Sequence, residues 1–206
     1  MKGELFILSS PAGGGKTTIS NRLVKEIPLI KRVITCTTRS PRKNEEPGKD
    51  YIFLSKDEFE RKINENQFLE YALVHGNYYG TPKKEVEEEL SKGYDLLLVI
   101  DVQGMRQVKS RKIDVITIFL LPPSIEDLVI RMKKRGDSPE EIKKRLETAK
   151  REIPAWKEYD YVVINDNLEE AIFNLKSIVI SNRLKKERFN THLIKDRNLR
   201  ELMGDG

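Results

Sequence analysis

Nine residues near the amino terminus, Ser10-Pro11-Ala12-Gly13-Gly14-Gly15-Lys16-Thr17-Thr18, combine three glycines, a lysine and hydroxyls at spacings that suit an anion. Glycines let successive backbone amides curl toward one point without a Cβ in the way. A helix that starts there adds unpaired N–H donors and the positive end of its dipole. Lys16 would reach the outer phosphates of a triphosphate, and the Thr17 hydroxyl would hold Mg2+. The stretch fits G-x-x-x-x-G-K-[ST] except at its first position, where Ser10 replaces glycine. Pro11, Ala12, Gly13, Gly14, Gly15, Lys16, Thr17 and Thr18 are therefore candidates for binding a nucleoside triphosphate.

Such a loop needs a buried strand before it and a helix after it. Leu5–Ser9 supplies an apolar run, and Thr17–Ile27 has helical spacing. The same alternation continues down the chain. Val33–Thr37, Tyr94–Ile100, Val115–Leu121 and Tyr161–Ile164 are short and apolar at successive positions, as strands buried on both faces are. Val102–Ser110, Ile125–Arg135 and Leu168–Ile180 have helical spacing, the last preceded by the capping residues Asn165-Asp166-Asn167. These features predict an α/β domain with a parallel sheet flanked by helices.

Two stretches break the rhythm. From Thr38 to Gly80 the chain is turn-rich, and its strands Tyr51–Leu54 and Phe68–Val74 mix polar with apolar residues, predicting a small inserted lobe with a partly wet sheet. Lys133–Arg151 is almost continuously charged around the turn Gly136-Asp137-Ser138-Pro139, and reads as a solvated helical hairpin or as a movable lid. The polar tail after Ser181 is expected to fray or dock lightly. Trp156 and Tyr159 are expected to pack where the lid rejoins the core, and Cys36 to be a small buried residue.

Composition narrows the classes. The 206 residues carry 38 Lys plus Arg against 33 Asp plus Glu, a net charge of +5, which suits a protein that handles anions without demanding nucleic acid. One cysteine excludes a disulfide framework within the chain, and two histidines far apart leave little for a zinc site. No apolar run approaches the roughly 18 residues of a membrane span. A reduced, cytoplasmic setting is expected.

A phosphate loop alone does not choose a reaction. Further motifs follow in order: Thr35-Cys36-Thr37-Thr38-Arg39-Ser40-Pro41-Arg42, Gly48-Lys49-Asp50-Tyr51, Phe68-Leu69-Glu70-Tyr71, Gly76-Asn77-Tyr78-Tyr79-Gly80-Thr81 and Ile100-Asp101-Val102-Gln103-Gly104. In motif order and spacing, from about Phe6 to about Ile180, the chain resembles the guanylate kinases. That resemblance implies a phosphate-loop kinase fold with a core (1–33, 82–132, 152–181), a GMP-binding lobe (34–81), a lid (133–151) and a basic extension (182–206). It also implies that Arg39, Arg42, Tyr51 and Tyr79 hold the GMP phosphate; arginine forks match phosphate oxygens.

Guanine offers two donors, N1–H and its exocyclic amine, to a carboxylate, and the family's glutamate falls on Glu70. Thr35 and Thr81 take the hydroxyl positions facing O6, and Asp101 completes the base pocket. Adenine would leave Glu70 without donors.

The implied reaction moves the γ-phosphoryl group of MgATP to GMP, giving ADP and GDP. The acceptor oxygen is already anionic, so no general base is required. Lys16, Arg135 and Arg145 are the catalytic candidates, with Arg131, just before the lid, a secondary one, and Asn165 falls where the family contacts adenine, though it would read equally well as a helix cap. The partners expected are ATP and GMP, with dGMP admitted because no residue placed here reads the 2′-hydroxyl; no membrane or nucleic acid is expected, and monomer and homo-oligomer both stay open. Closure of lobe and lid over both substrates would keep water from the γ-phosphate. A non-catalytic interaction module of the same fold and a kinase for another mononucleotide are the alternatives; the retained Lys16, Thr17 and glycines speak against the former.

Overall fold

The computed structural model describes residues 2–42, 45–74 and 76–204, with the backbone alone for His192; His75 lies outside the described residues. Strand β1 (Leu5–Ser9) is buried at every position, as its unbroken apolar run requires. It pairs in parallel with β7 (Asp95–Val99) on one side and β8 (Ile116–Leu121) on the other. Next to β7 lies β2 (Ile30–Arg32), and next to β8 lies β9 (Tyr161–Ile164), so the five-stranded sheet runs β2-β7-β1-β8-β9 and is parallel throughout.

Helices cover both faces. One apolar cluster joins the sheet to α1 (Lys16–Glu26) and α7 (Leu168–Arg183) through Ile19, Leu23, Ile172 and Leu175. The other joins it to α3 (Lys83–Ser91) and α4 (Val102–Ser110) through Val86, Leu90, Met105 and Val108. This is the α/β architecture expected from the alternating pattern.

The run Val33–Thr37 does not form one strand. Ile30–Arg32 pairs with β7, the Val33 amide donates to the Leu97 carbonyl at 3.0 Å, and the chain then leaves the sheet. Thr35–Thr37 becomes β3 of a second sheet, ordered β4-β3-β6-β5, with β4 at Tyr51–Phe53, β5 at Phe68–Val74 and β6 at Asn77–Pro82. β6 falls at the end of the stretch read as turn-rich and was not anticipated; antiparallel pairing with both β3 and β5 overrides that preference. Nor was α2 (Lys56–Asn64), although Ser55 and Glu58 form the reciprocal capping pair that marks a helix start. Its Phe59 stacks on Phe68 and Tyr78, at 4.4 and 5.2 Å between ring centres, and gives this sheet its own small core.

The charged stretch 133–151 holds only the end of α5 (Ile125–Lys134), a turn and most of α6 (Pro139–Glu152); the two helices make a hairpin sealed by Leu128, Met132, Ile142 and Ala149, with Ala12 of the phosphate loop against them. Tyr159 packs on Phe119, but Trp156 is 41% exposed and does not share that packing. The start of the tail is held firmly. Buried Asp95 accepts from the Glu4 amide at 2.8 Å, from Arg183 at 2.7 Å and from Arg188 at 3.2 Å. Beyond it comes the short helix α8 (Arg197–Leu202), which buries no residue. Cys36 is buried, and burial pushes its thiol up to about 12. Among the described residues no helix is long and apolar enough to cross a membrane.

Candidate active site

The phosphate loop leaves the carboxyl end of β1, Asp101 follows β7 and Asn165 follows β9. An open parallel sheet gathers its functional residues at that edge. Gly15 carries the chain into α1 with φ +96°, a conformation that L side chains rarely adopt, and a Cβ there would lie 2.5 Å from Asn165 Nδ2. Lys16 Nζ donates to the Ser10 carbonyl at 2.5 Å. Ser10 itself is buried, and its hydroxyl donates to the Pro11 carbonyl at 3.0 Å, so the serine stiffens the turn where a glycine was expected. Burial pushes the Lys16 ammonium down from its ordinary range, while the carboxylates of Glu152 and Asp101 hold it up.

Asn165 is not the cap of α7. Asn167 takes that place, accepting from the Glu169 and Glu170 amides. Asn165 Nδ2 instead donates to the Gly14 carbonyl at 2.8 Å, and Arg131 donates to the Asn165 carbonyl at 2.7 Å. The loop is thus braced from β9 and α5 together.

A cleft of about 510 Å³ runs from this loop to the second sheet. It is lined by Thr35, Arg42, Tyr51, Glu70 and Tyr79 from the second sheet and its loops, by Asp101 after β7, and by Arg131, Arg135 and Arg145. The position of Glu70 depends on an irregularity: between Phe68 and Glu70 the register of β5 against β6 shifts, so Phe68, Leu69 and Glu70 are buried in succession. Phe68 enters the lobe core, Leu69 the main core, and Glu70 the cleft. Glu70 packs so tightly on α4 that a Cβ at Gly104 would lie 2.6 Å from its Oε2. Asp101 caps the same helix, accepting from the Gly104 amide at 2.8 Å. Burial raises the Glu70 carboxyl to about 7, with the Thr81 hydroxyl bond opposing and the Asp101 charge adding to the rise.

Three residues named from sequence lie behind the cleft wall instead of on it. The Thr81 hydroxyl donates to Glu70 Oε1 at 2.5 Å, so it orients the acid directly. Arg39 donates to both Glu45 oxygens, at 2.8 and 2.9 Å, and sits 5.5 Å over the Tyr51 ring. Tyr51 meets Tyr79 edge-on at 6.1 Å. Asn165 is the third.

One acid on the cleft wall and one behind it escaped the sequence reading. Glu152, the last residue of α6, lines the cleft; burial raises its carboxyl and the Lys16 charge draws it back down. Asp137, at the hairpin tip, pairs with Arg135 and lies 3.5 Å from Arg145. Charge alone distinguishes neither from its neighbours; Glu152 stands out by its place on the cleft wall and Asp137 by its contact with two cleft-lining arginines.

A parallel sheet with a phosphate loop after its central strand, a second small sheet facing that loop and an arginine-bearing hairpin above define a kinase of the phosphate-loop class. Within that class the chain belongs to the guanylate kinase family, whose model matches residues 2–182. It is 44% identical over 189 residues to a guanylate kinase of Bradyrhizobium diazoefficiens, covering 91% of this chain and 86% of that one. It is 41% identical over 197 residues to one of Clostridium perfringens, covering 95% and 91%. The crystal structure of guanylate kinase from Anaplasma phagocytophilum superposes with a TM-score of 0.77 at 33% identity, covering all of this chain and 97% of that one.

Proposed function

We propose that this cleft transfers the γ-phosphoryl group of ATP to the phosphate of GMP, giving ADP and GDP. The observation that carries the acceptor's identity is Glu70, a buried carboxylate facing the phosphate loop across one cleft. Ionised, it accepts from both guanine donors; adenine presents no such pair there and would leave a buried acid unsatisfied. Thr35 and Asp101 complete the base pocket, and Thr81 holds Glu70 in place. Arg42, Tyr51 and Tyr79 receive the GMP phosphate, joined by Arg39 once it leaves Glu45. Residues 34–81 are in this reading the acceptor lobe, 133–151 the lid and 182–206 a basic extension.

The transferred group breaks its bond to the β–γ bridging oxygen of ATP and gains one to a GMP phosphate oxygen, which needs no proton removed. The chain's work is alignment and charge stabilisation. Amides of Pro11–Thr18 other than proline's cradle the triphosphate, Lys16 moves from Ser10 to the outer phosphates, and Asn165 supports the loop from the adenine side. Arg135 and Arg145 stabilise charge on the moving group. Thr17 faces the cleft with an oxygen donor, and no cluster of three His, Cys, Asp or Glu side chains suited to a metal occurs among the described residues. That donor set fits Mg2+, which takes most of its ligands from phosphates and water and would neutralise the polyphosphate charge. The reaction belongs in the cytoplasm, and dGMP serves beside GMP. The test is ADP formation with Mg2+ against a panel of nucleoside monophosphates: turnover confined to GMP and dGMP is expected, and equal turnover of AMP would defeat the base-pocket assignment.

A further inference from the structure

The tip of the α5–α6 hairpin holds an acid that no proposed substrate contact uses. The main chain of Asp137 is fixed on both sides. The Gly136 amide donates to the Lys133 carbonyl at 2.9 Å and the Asp137 amide to the Met132 carbonyl at 3.2 Å, which closes the end of α5. Ser138 then caps α6 in a reciprocal pair with Glu141. The carboxylate is therefore presented from a rigid turn. Arg135 grips both its oxygens, with Nε on Oδ1 at 3.1 Å and Nη2 on Oδ2. Arg145 lies 3.5 Å away on the partner helix. Arg42 acts on the same acid through space from the facing lobe.

All three arginines line the cleft. The Asp137 carboxyl is held below the usual carboxylate range, chiefly by its bonds with Arg135. Burial lowers the Arg145 guanidinium, and repulsion from Arg135 adds to this. Cations crowded this way need an anion among them, and a two-pronged carboxylate on an arginine fork copies the contact a phosphate group makes.

We propose that Asp137 is a resident stand-in for a phosphate group, holding Arg135 and Arg145 together near Arg42 until nucleotide phosphates displace it. The idea rests on reading the cleft as a kinase site, and adds a positioning residue that works through the arginines and competes with the substrate. An incoming polyphosphate must outcompete a tethered rival, so isolated anions hold the lid weakly.

The experiment is calorimetric titration of the full chain with inorganic tripolyphosphate, with no nucleotide present. Asp137→Asn keeps the shape and removes the charge; binding about three- to tenfold tighter at low salt is expected, with the gain shrinking as salt is raised. Glu140→Gln, an exposed acid on the same helix start, should leave binding within about twofold, separating local exchange from net charge. Asp137→Ala provides a second version of the same loss, and thermal melting checks that each variant is folded. Unchanged or weaker binding in both Asp137 variants overturns the proposal. Turnover with GMP is measured separately, so a failed functional assignment would be recognised as such.

Discussion

Glu70 shows how one side chain can oppose stability while supporting recognition. Its carboxyl is raised from 4.5 to about 7, so between those values the folded chain binds more protons than the unfolded one. The contribution of Glu70 to stability is thus present in acid and lost as pH rises through 7. Glu70→Gln removes the buried charge and keeps an acceptor for the Thr81 hydroxyl. A higher Tm than the parent at pH 8 is expected, with the difference closing toward pH 5. The same change should lower kcat/KM for GMP about 100-fold or more, because the amide cannot accept from both guanine donors. In the parent only about a tenth of Glu70 is ionised at pH 6, so kcat/KM for GMP should fall about tenfold from pH 8 to pH 6. Any slope that survives in Glu70→Gln belongs to other titrating groups, among them the GMP phosphate, which titrates near pH 6, and Glu152, whose carboxyl burial raises.

At the scale of elements, the phosphate loop is positioned by parts of the chain remote in sequence. Asn165 after β9 holds the Gly14 carbonyl, and Arg131 of α5 holds Asn165. Asn165→Ala leaves that carbonyl with only the 3.5 Å bond from Arg131, a loss of about 1 kcal/mol, and should raise KM for ATP about fivefold. KM for GMP should stay put; a rise in both would mean that the brace acts on the whole cleft. The strand–loop–helix unit that carries the loop was legible, because β1 is an unbroken apolar run and the glycines fall directly after it. The bulge in β5 was not. Leu69 and Glu70 are both buried only because β6 pairs out of step there, and pairing partners are not written in local composition.

At the scale of the whole molecule, two charge arrangements matter. The knot of Glu4, Asp95, Arg183 and Arg188 ties the first strand, the sheet edge and the end of α7 together. Asp95→Asn takes the counter-charge from half-buried Arg183 and leaves half-buried Arg188 with Glu4 alone; a loss of about 1–2 kcal/mol and a Tm lower by about 2–8 °C are expected. Turnover at room temperature should be unaffected, since the knot lies away from the cleft lining. The cleft is the second arrangement. Arginines from the loop after β3 and from the α5–α6 hairpin face it from different parts of the fold, and loading it with polyanions should draw those parts together. Small-angle scattering is expected to show a smaller radius with ADP and GMP bound together than with neither; an unchanged radius would count against closure.

The sequence by itself determined the alternation of buried strands with helices, the phosphate loop and the order of the acceptor motifs. Those features are local: apolar runs, glycine spacing and capping residues act over a few neighbours. Only the tertiary structure decided that Val33–Thr37 divides between two sheets, that Asn165 braces the loop, that Thr81 serves Glu70 from behind the wall, and that Asp137 stands among the arginines. Each of these depends on which surfaces meet after the chain folds, and burial or an opposite charge supplied by a distant segment changes what a residue can do without changing its neighbours in sequence.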